Sequence, residues 1–343
     1  MSTTESLRGL RVIQWGCGLM GQIFIRYLLE QGAELVGAID ANPALIGRDA
    51  GEITTFRRPL GVPIRPPGEA EPLFETARAH ACIVATRSVV AEVYDALALA
   101  ARHGVNAITT CEEAFYPWST ASEPTRTLHE LAVAHGCTLT GSGYQDVFWG
   151  HLISVLAGAT HRIDRIEGLS QYNVDDYGLV LAEKHGAGLS PDEFAARIAT
   201  SQAPAYNWNG NQWLCGRLGW HIRSQRQELR PTTHRTPVPS RCLGTDIPAG
   251  HATGMRAVVI TETEEGPVLE THSVGKVYAP EEVDLNEWTL VGEPSTTVTI
   301  RRPATPELTC ATIVNRLPQL VAAAPGFVTT DRLPAPEYRY RPL

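Results

Sequence analysis

Lysine is almost missing from this chain. Of 29 basic side chains in 343 residues, only Lys184 and Lys276 are lysines; the others are arginines. Arginine stays protonated, so a mechanism built on a lysine base or Schiff base has two positions open to it. Positive charge is also in deficit. With 37 acidic residues the formal net charge is −8, which argues against a nucleic-acid-binding or anionic-membrane surface. No apolar run approaches the ~20 residues of a membrane span. The first ten residues hold no apolar core of a secretory leader. Seven cysteines (17, 82, 111, 137, 215, 242 and 310) are scattered and never in C-x-x-C spacing. Eleven histidines form neither H-E-x-x-H nor a His/Cys cluster. No metal site is expected, and reduced thiols in the cytoplasm are the expectation.

What is present is the composition of a folded protein: 43 % hydrophobic and 19 % charged residues. The length suits two domains. In the first part, short apolar runs alternate with helical periods. Arg11–Trp15, Glu34–Asp40, Ala81–Thr86, Val105–Thr109 and Cys137–Gly141 read as strands. A helix carries Ile23, Phe24, Tyr27 and Leu28, another covers Val89–His103, and a third ends near His135. Such βαβ alternation predicts a doubly wound parallel sheet with helices on both faces. The proline-rich stretch Phe56–Ala70 reads as a surface excursion. After Gly143 the pattern changes. A helix over Val147–Ala159 precedes a long strand, Arg162–Val174. Ser190-Pro191-Asp192-Glu193 is a capped helix start, and Met255–Tyr278 is a hairpin turning at Glu264–Gly266. These predict an α+β domain with an open mixed sheet. Pro306–Ala324 reads as a helix interrupted at Pro318. The expected division is therefore a dinucleotide-binding domain over residues 1–145, a substrate and dimerisation domain over 146–303, and a helix and tail over 304–343 that pack back on the first domain.

Gly16-Cys17-Gly18-Leu19-Met20-Gly21 is a G-x-G-x-x-G between a strand and a helix, and Asp40 ends the next strand. This spacing is that of the Rossmann dinucleotide fingerprint. Gly16 allows the tight turn, and Gly18 lets a pyrophosphate approach the backbone. Gly21 permits close packing where the helix opens, its N-terminus faces the phosphates, and Leu19 and Met20 of the turn join the expected cofactor contacts. Asp40 accepts from ribose hydroxyls, which suits NAD. Arg48 is near enough to accommodate NADP. Cofactor preference stays open between NAD(H) and NADP(H).

Ligands of such sheets lie beyond the carboxyl ends of the strands. Thr86-Arg87-Ser88 ends one strand, where Thr86 and Ser88 either line the cofactor ribose or cap a helix. Thr109-Thr110-Cys111-Glu112-Glu113 ends the next, followed by Ala114-Phe115-Tyr116-Pro117-Trp118. One carboxylate of the Glu112–Glu113 pair, pressed against that apolar run, would have a raised pKa suited to proton transfer. Phe148, Trp149, Tyr172, Tyr177 and the segment Tyr206–Trp220 are candidates for an apolar substrate wall.

The run Thr110-Cys111-Glu112-Glu113 with Tyr116-Pro117 resembles the signature of 2,4-diaminopentanoate dehydrogenases and native amine dehydrogenases. The resemblance extends to the glycine turn, to Asn315-Arg316-Leu317-Pro318 and to Ala324-Pro325-Gly326. It implies a fold similar to dihydrodipicolinate reductase and NAD(P)-dependent reversible deamination of an amine, or reductive amination of a ketone with ammonia. It also implies Glu112 as the catalytic acid/base, Cys111 and Asn315 beside the cofactor, Trp149 and Tyr177 as pocket aromatics, and a homodimer. Gly141-Ser142-Gly143-Tyr144-Gln145-Asp146 departs from the Asn-Pro-Gly of diaminopentanoate-type members, which favours a small simple amine. The competing readings are a dihydrodipicolinate-type reductase and an NAD(P)-sensing regulator. Against the first, His161 has no adjacent histidine and no lysine lies nearby. Against the second, a sensor needs no carboxylate at the nicotinamide.

Overall fold

The computed structural model describes residues 7–338, so the last five residues of the expected C-terminal segment lie outside it. Two compact units divide the chain. One runs to His151 and resumes at Ala304; the other is Leu152–Pro303. Asp146–His151 thus falls in the first unit.

The strands of the first unit are β1 (Arg11–Trp15), β2 (Glu34–Ile39), β3 (Ile64–Arg65), β4 (Ala81–Val84), β5 (Asn106–Thr109), β6 (Thr138–Gly141) and, near the C-terminus, β15 (Gly326–Phe327). Their spatial order is β15-β6-β5-β4-β1-β2-β3, with every neighbour pair parallel. The reversal of strand order at β1 creates the switch point beside which ligands bind in such sheets. Side chains alternate to opposite faces. Ile13, Cys82, Val84 and Ala107 pack with Leu73 of α2 (Ala70–Ala77), Val93 and Leu97 of α3 (Val90–Arg102) and Leu128 of α4 (Ser122–His135). Val12, Ile83 and Ile108 pack with Phe24 and Leu28 of α1 (Leu19–Glu30) and with Ile313, Leu317 and Leu320 of α9 (Thr305–Ala322). A sheet buried on both faces explains why its strands read as unbroken apolar runs.

Three local expectations need correction. Phe56–Ala70 is more than a surface excursion, because Ile64–Arg65 pairs in parallel with Ala38–Ile39 as the edge strand. Two residues are too few to show a period, and flanking prolines are tolerated at a sheet edge. Second, Pro318 does not interrupt α9, which is continuous from Thr305 to Ala322. A proline removes one donor from the helix, and buried Ile313, Val314, Leu317 and Leu320 hold both sides of it in register. Third, the helix expected to start at Val147 opens with π-helical turns over Asp146–His151 before α5 (Leu152–Gly158).

The second unit also contains β7 (Arg162–Asn173), α6 (Leu179–Lys184), α7 (Pro191–Arg197), α8 (Tyr206–Leu218), β8 (Ile222–Thr233), β9 (Val238–Ser240), β10 (Thr245–Ile247), β11 (Ala252–Thr263), β12 (Val268–Lys276), β13 (Leu285–Glu293) and β14 (Thr296–Arg301). Six strands form an open mixed sheet in the order β14-β13-β7-β12-β11-β8, with only β7 and β12 parallel. The aromatic segment Tyr206–Trp220 is mostly α8. Trp213 is wholly buried, and Asn211 is stitched to Thr261 and Thr271 at 3.0 and 2.9 Å. α7 begins with the expected capping box of Ser190 and Glu193. All seven cysteines are free. Among the described residues no helix is long and apolar enough to cross a membrane.

One buried ion pair ties the C-terminal helix to its unit. Arg316, fully buried, donates from Nε to Asp146 Oδ2 at 2.6 Å; Ser142 donates to the same oxygen at 2.6 Å. Arg316 also reaches Pro334 O at 3.1 Å and lies 3.2 Å from His151 Nε2. Burial alone would raise the Asp146 pKa, but the Arg316 guanidinium and His151 hold it down at about 2. Removing either partner strands a buried charge, so Arg316→Ala and Asp146→Ala should each cost about 3–5 kcal/mol in urea unfolding. A depressed folded-state pKa stabilises above the unfolded value and is lost on acidification. The difference between wild type and Asp146→Ala should therefore hold steady at neutral pH and shrink as pH falls below 3.8 toward about 2. A difference that is small or grows on acidification would contradict the pairing.

Candidate active site

The glycine turn follows β1 and is built by contact rather than by flexibility alone. Gly16 has φ +96°, and a Cβ there would lie 2.3 Å from Ala85 O. A Cβ on Gly21 would lie 2.0 Å from Gly16 O, so the third glycine lets the helix start close against the first. Gly18 differs: a Cβ there would point into open space. It is the N-cap of α1, which has no side-chain cap and no acidic residue in its first turn. Free N–H groups at a helix end beside open space fit a pyrophosphate. Leu19 is 73 % exposed at the same point and Met20 is half-buried. Asp40 accepts from Cys17 N at 2.6 Å and from Asn42 N at 2.7 Å. A carboxylate has about four acceptor positions, so capacity remains for ribose hydroxyls.

Neighbouring parallel strands bring the next residues to the same edge of the sheet. Gly16 N bonds Ile39 O at 2.8 Å, Ala85 N bonds Trp15 O at 2.8 Å, and Thr110 N bonds Val84 O at 3.1 Å. Thr86 is exposed and Ser88 half-buried there. Neither caps α3, whose N-cap is Val89. Glu113 performs that task from the neighbouring loop, accepting from Val90 N at 2.7 Å while its own N–H bonds Ser88 O at 3.2 Å. The Ser88 hydroxyl is near enough to Glu112 to favour its carboxylate form. Burial pushes the Glu112 pKa up, against the lowering effects of Ser88 and its own main-chain N–H. The two adjacent glutamates are thus distinct: Glu113 is engaged with a helix end, while Glu112, a half-buried residue, has a carboxyl that burial inclines to hold a proton. Gly141 allows this loop to sit close, since a Cβ there would lie 2.3 Å from the Ala114 backbone.

The other expected residues separate into groups. Arg48 is exposed; its carbonyl accepts from Ile64 N at 2.9 Å, which sets it beyond β3. The Cys111 side chain is fully buried in the core, so only its main chain could meet a ligand. The apolar run after Glu113 does not act as one wall: Phe115 is core, and Trp118 packs edge-on to His129 and Phe327. Asn315 is half-buried on α9, between buried Val314 and Arg316. Phe148 stacks on Tyr144 with centroids 4.4 Å apart, and Trp149 has its indole nitrogen enclosed without a partner among the described residues. In the second unit, Tyr172 and Tyr177 meet edge to face at 6.0 Å.

Two residues of this region escaped the sequence reading. Gln14 lies fully buried in β1 and donates to Gly16 O at 2.9 Å, bracing the glycine turn. Its signal was an amide inside an apolar strand. His185 bonds Tyr172 OH through Nε2 at 2.7 Å. Nothing local marks that pairing, because the two meet only through the fold. Among the described residues no group of three or more His, Cys, Asp or Glu side chains could hold a metal.

Comparison with known proteins agrees with this geometry. Residues 148–340 match the family model of the 2,4-diaminopentanoate dehydrogenase C-terminal domain. The structure of an amine dehydrogenase from Mycobacterium smegmatis superimposes with a TM-score of 0.88 at 38 % identity, covering 96 % of this chain and 98 % of that one. A 2,4-diaminopentanoate dehydrogenase from Acetoanaerobium sticklandii is 22 % identical over 95 % of this chain and 94 % of its own length. An amine dehydrogenase from Streptomyces virginiae is 27 % identical over 76 % of this chain and 74 % of its own. With its NAD(P)-binding Rossmann unit and its matched C-terminal domain, the chain belongs to the 2,4-diaminopentanoate dehydrogenase and amine dehydrogenase family of oxidoreductases.

Proposed function

We propose that this protein catalyses reversible oxidative deamination of a small amine, run in reverse as reductive amination of a ketone or aldehyde with ammonia, with Glu112 as acid/base. The observation that carries this reading is the division of labour at the end of β5. Glu113 is committed to α3, which leaves the half-buried Glu112 beside Ser88 with a carboxyl whose pKa burial raises. We assign the cofactor to Gly16, Gly18, Leu19, Met20, Gly21, Asp40, Thr86, Ser88, the Cys111 main chain and Asn315. Arg48 is the candidate for a 2′-phosphate, so both NAD(H) and NADP(H) are admitted. Phe148, Trp149, Tyr172 and Tyr177 are assigned to the substrate side. A cytoplasmic homodimer completes the proposal. It is supported by the sheet face of β8, β11, β12 and β7, where Arg226, Arg230 and Arg165 alternate with Glu228, Glu262 and Glu270, a pattern able to complement itself.

When bound, the nicotinamide supplies hydride transfer to or from the carbon that bears nitrogen. That transfer requires a free nitrogen lone pair, so the ammonium must first lose a proton. Glu112, as carboxylate, takes that proton. Its negative charge then stabilises the cationic iminium in a site of low polarity. In the amination direction the protonated carboxyl assists loss of water from the carbinolamine. The helix end at Gly18 would hold the pyrophosphate and the Asp40 carboxylate the adenosine ribose.

Three outcomes follow. NAD(P)H oxidation with cyclohexanone or short ketones, measured at mildly alkaline pH, should require ammonium; turnover with ketone alone would overturn the amine dehydrogenase reading. Glu112→Gln should lower kcat by about a hundred- to ten-thousand-fold with cofactor affinity nearly intact. Because a folded-state pKa above the unfolded value costs stability as pH rises through it, this variant should melt no lower than wild type at neutral pH. Glu113→Ala should instead lose about 1 kcal/mol of stability, as a helix cap does, and keep most of its turnover. If Glu113→Ala were the inactive variant, the roles would be reversed.

A further inference from the structure

The second unit holds a histidine that the reaction does not use. His185 is 5 % exposed. Its Nδ1 lies 2.8 Å from Leu181 O, a carbonyl that can only accept, so Nδ1 carries the proton and donates. Nε2 is then a bare acceptor, and the hydroxyl 2.7 Å away, that of Tyr172, is the donor. Burial lowers the His185 pKa, which keeps the ring in this neutral form. The pair is pressed onto β12 at Gly275. A Cβ there would lie 2.4 Å from His185 Cδ2 and 2.8 Å from Tyr172 Cζ. The position is a glycine with an ordinary backbone, so its lack of a side chain serves this close approach.

Beside the pair the surface is apolar and open. Tyr177, Leu179 and Val180 are 47, 46 and 69 % exposed, on the turn and helix that lead to His185. Tyr177 stands edge-on to Tyr172 at 85°.

We propose that His185 is a positioning and specificity-determining residue: it takes up the only proton the Tyr172 hydroxyl can donate, so that Tyr172 offers the substrate a hydrocarbon ring and no hydrogen-bond donor. This rests on the assignment of Tyr172 to the substrate side made above. The class selected is a small ketone or amine with a hydrocarbon substituent. A substrate with an ether oxygen in that substituent, an acceptor only, would be desolvated beside Tyr172 without a donor to meet it.

The test compares kcat/KM for cyclohexanone with that for tetrahydropyran-4-one, with ammonium and the preferred cofactor. His185→Leu removes that acceptor, so that the Tyr172 hydroxyl can donate to the ether oxygen, and the preference for cyclohexanone should fall about tenfold, through KM, with kcat for cyclohexanone and the KM of the cofactor unchanged. His185→Gln, which keeps an acceptor near the Nε2 position, should retain the preference. Tyr172→Phe, which has no hydroxyl to donate, should keep the preference for cyclohexanone whatever its effect on either KM. The double variant, with no hydroxyl to free, should regain the preference lost in His185→Leu. Damage to packing alone would instead be deepened by the second substitution. Should His185→Leu not fold, His185→Met supplies the same comparison. An unchanged ratio in the single variant, or a double variant as unselective as the single, overturns the proposal. Tyr172→Ala separates the two levels. If it leaves both KM values unchanged while Glu112→Gln is inactive, the substrate assignment of Tyr172 fails. If it raises them while the His185 variants do nothing, only the positioning role fails.

Discussion

The clasp between two strand ends holds the catalytic edge of this protein together. Val89, at the start of α3, has no side chain able to cap that helix, and Glu113 supplies the carboxylate from the loop after β5. The same residue's N–H returns a bond to Ser88 O, and the Ser88 hydroxyl lies near enough to Glu112 to lower its pKa against burial. One short loop therefore sets the start of α3, the approach of β5 to β4 and the placement of the buried carboxyl. A charge on Glu113 is well used there, because the first N–H groups of a helix favour an anion. Glu112 bears the opposite condition, with burial resisting its ionisation. Two adjacent residues of one type thus acquire opposed chemistry from their surroundings alone.

We assign to the remainder of the first unit the task of bringing a cofactor to that edge. Gly16 and Gly21 are required by contacts of 2.3 and 2.0 Å that a Cβ would make with backbone, whereas Gly18 leaves space for a ligand. Gln14 and Asp40 brace the turn from either side by bonds to Gly16 O and Cys17 N. The buried Arg316–Asp146 pair anchors α9, and with it Asn315, to the segment that replaces the diaminopentanoate-type sequence. Scarcity of lysine fits this plan. A cationic iminium calls for a carboxylate, and arginine does the structural work that lysine cannot do when buried.

Much of this was legible from the chain. Strand and helix positions in the first unit follow from apolar runs and their turns, and the glycine spacing with Asp40 identifies the cofactor edge without any tertiary knowledge. What stayed hidden depends on contacts between distant residues. β3 is only two residues long, so no period could reveal it. Pro318 looked like a helix end because its penalty is local, while the packing that overrides it is not. The distinction between Glu112 and Glu113 needed the position of Val90 N, and the His185–Tyr172 pair needed Gly275 from another strand. Thr86 and Ser88 looked equally suited to capping a helix, and the structure gives neither that task.

The central claim is that Glu112 is a carboxyl whose pKa is raised by burial and which moves the substrate proton. Titration of protein labelled with carboxyl-13C glutamate, followed by NMR for wild type and Glu112→Gln, tests it directly. The account predicts one resonance that titrates above the ordinary glutamate range and is missing from the variant. If the resonance lost in Glu112→Gln titrates at or below the ordinary range, the account of this site is wrong.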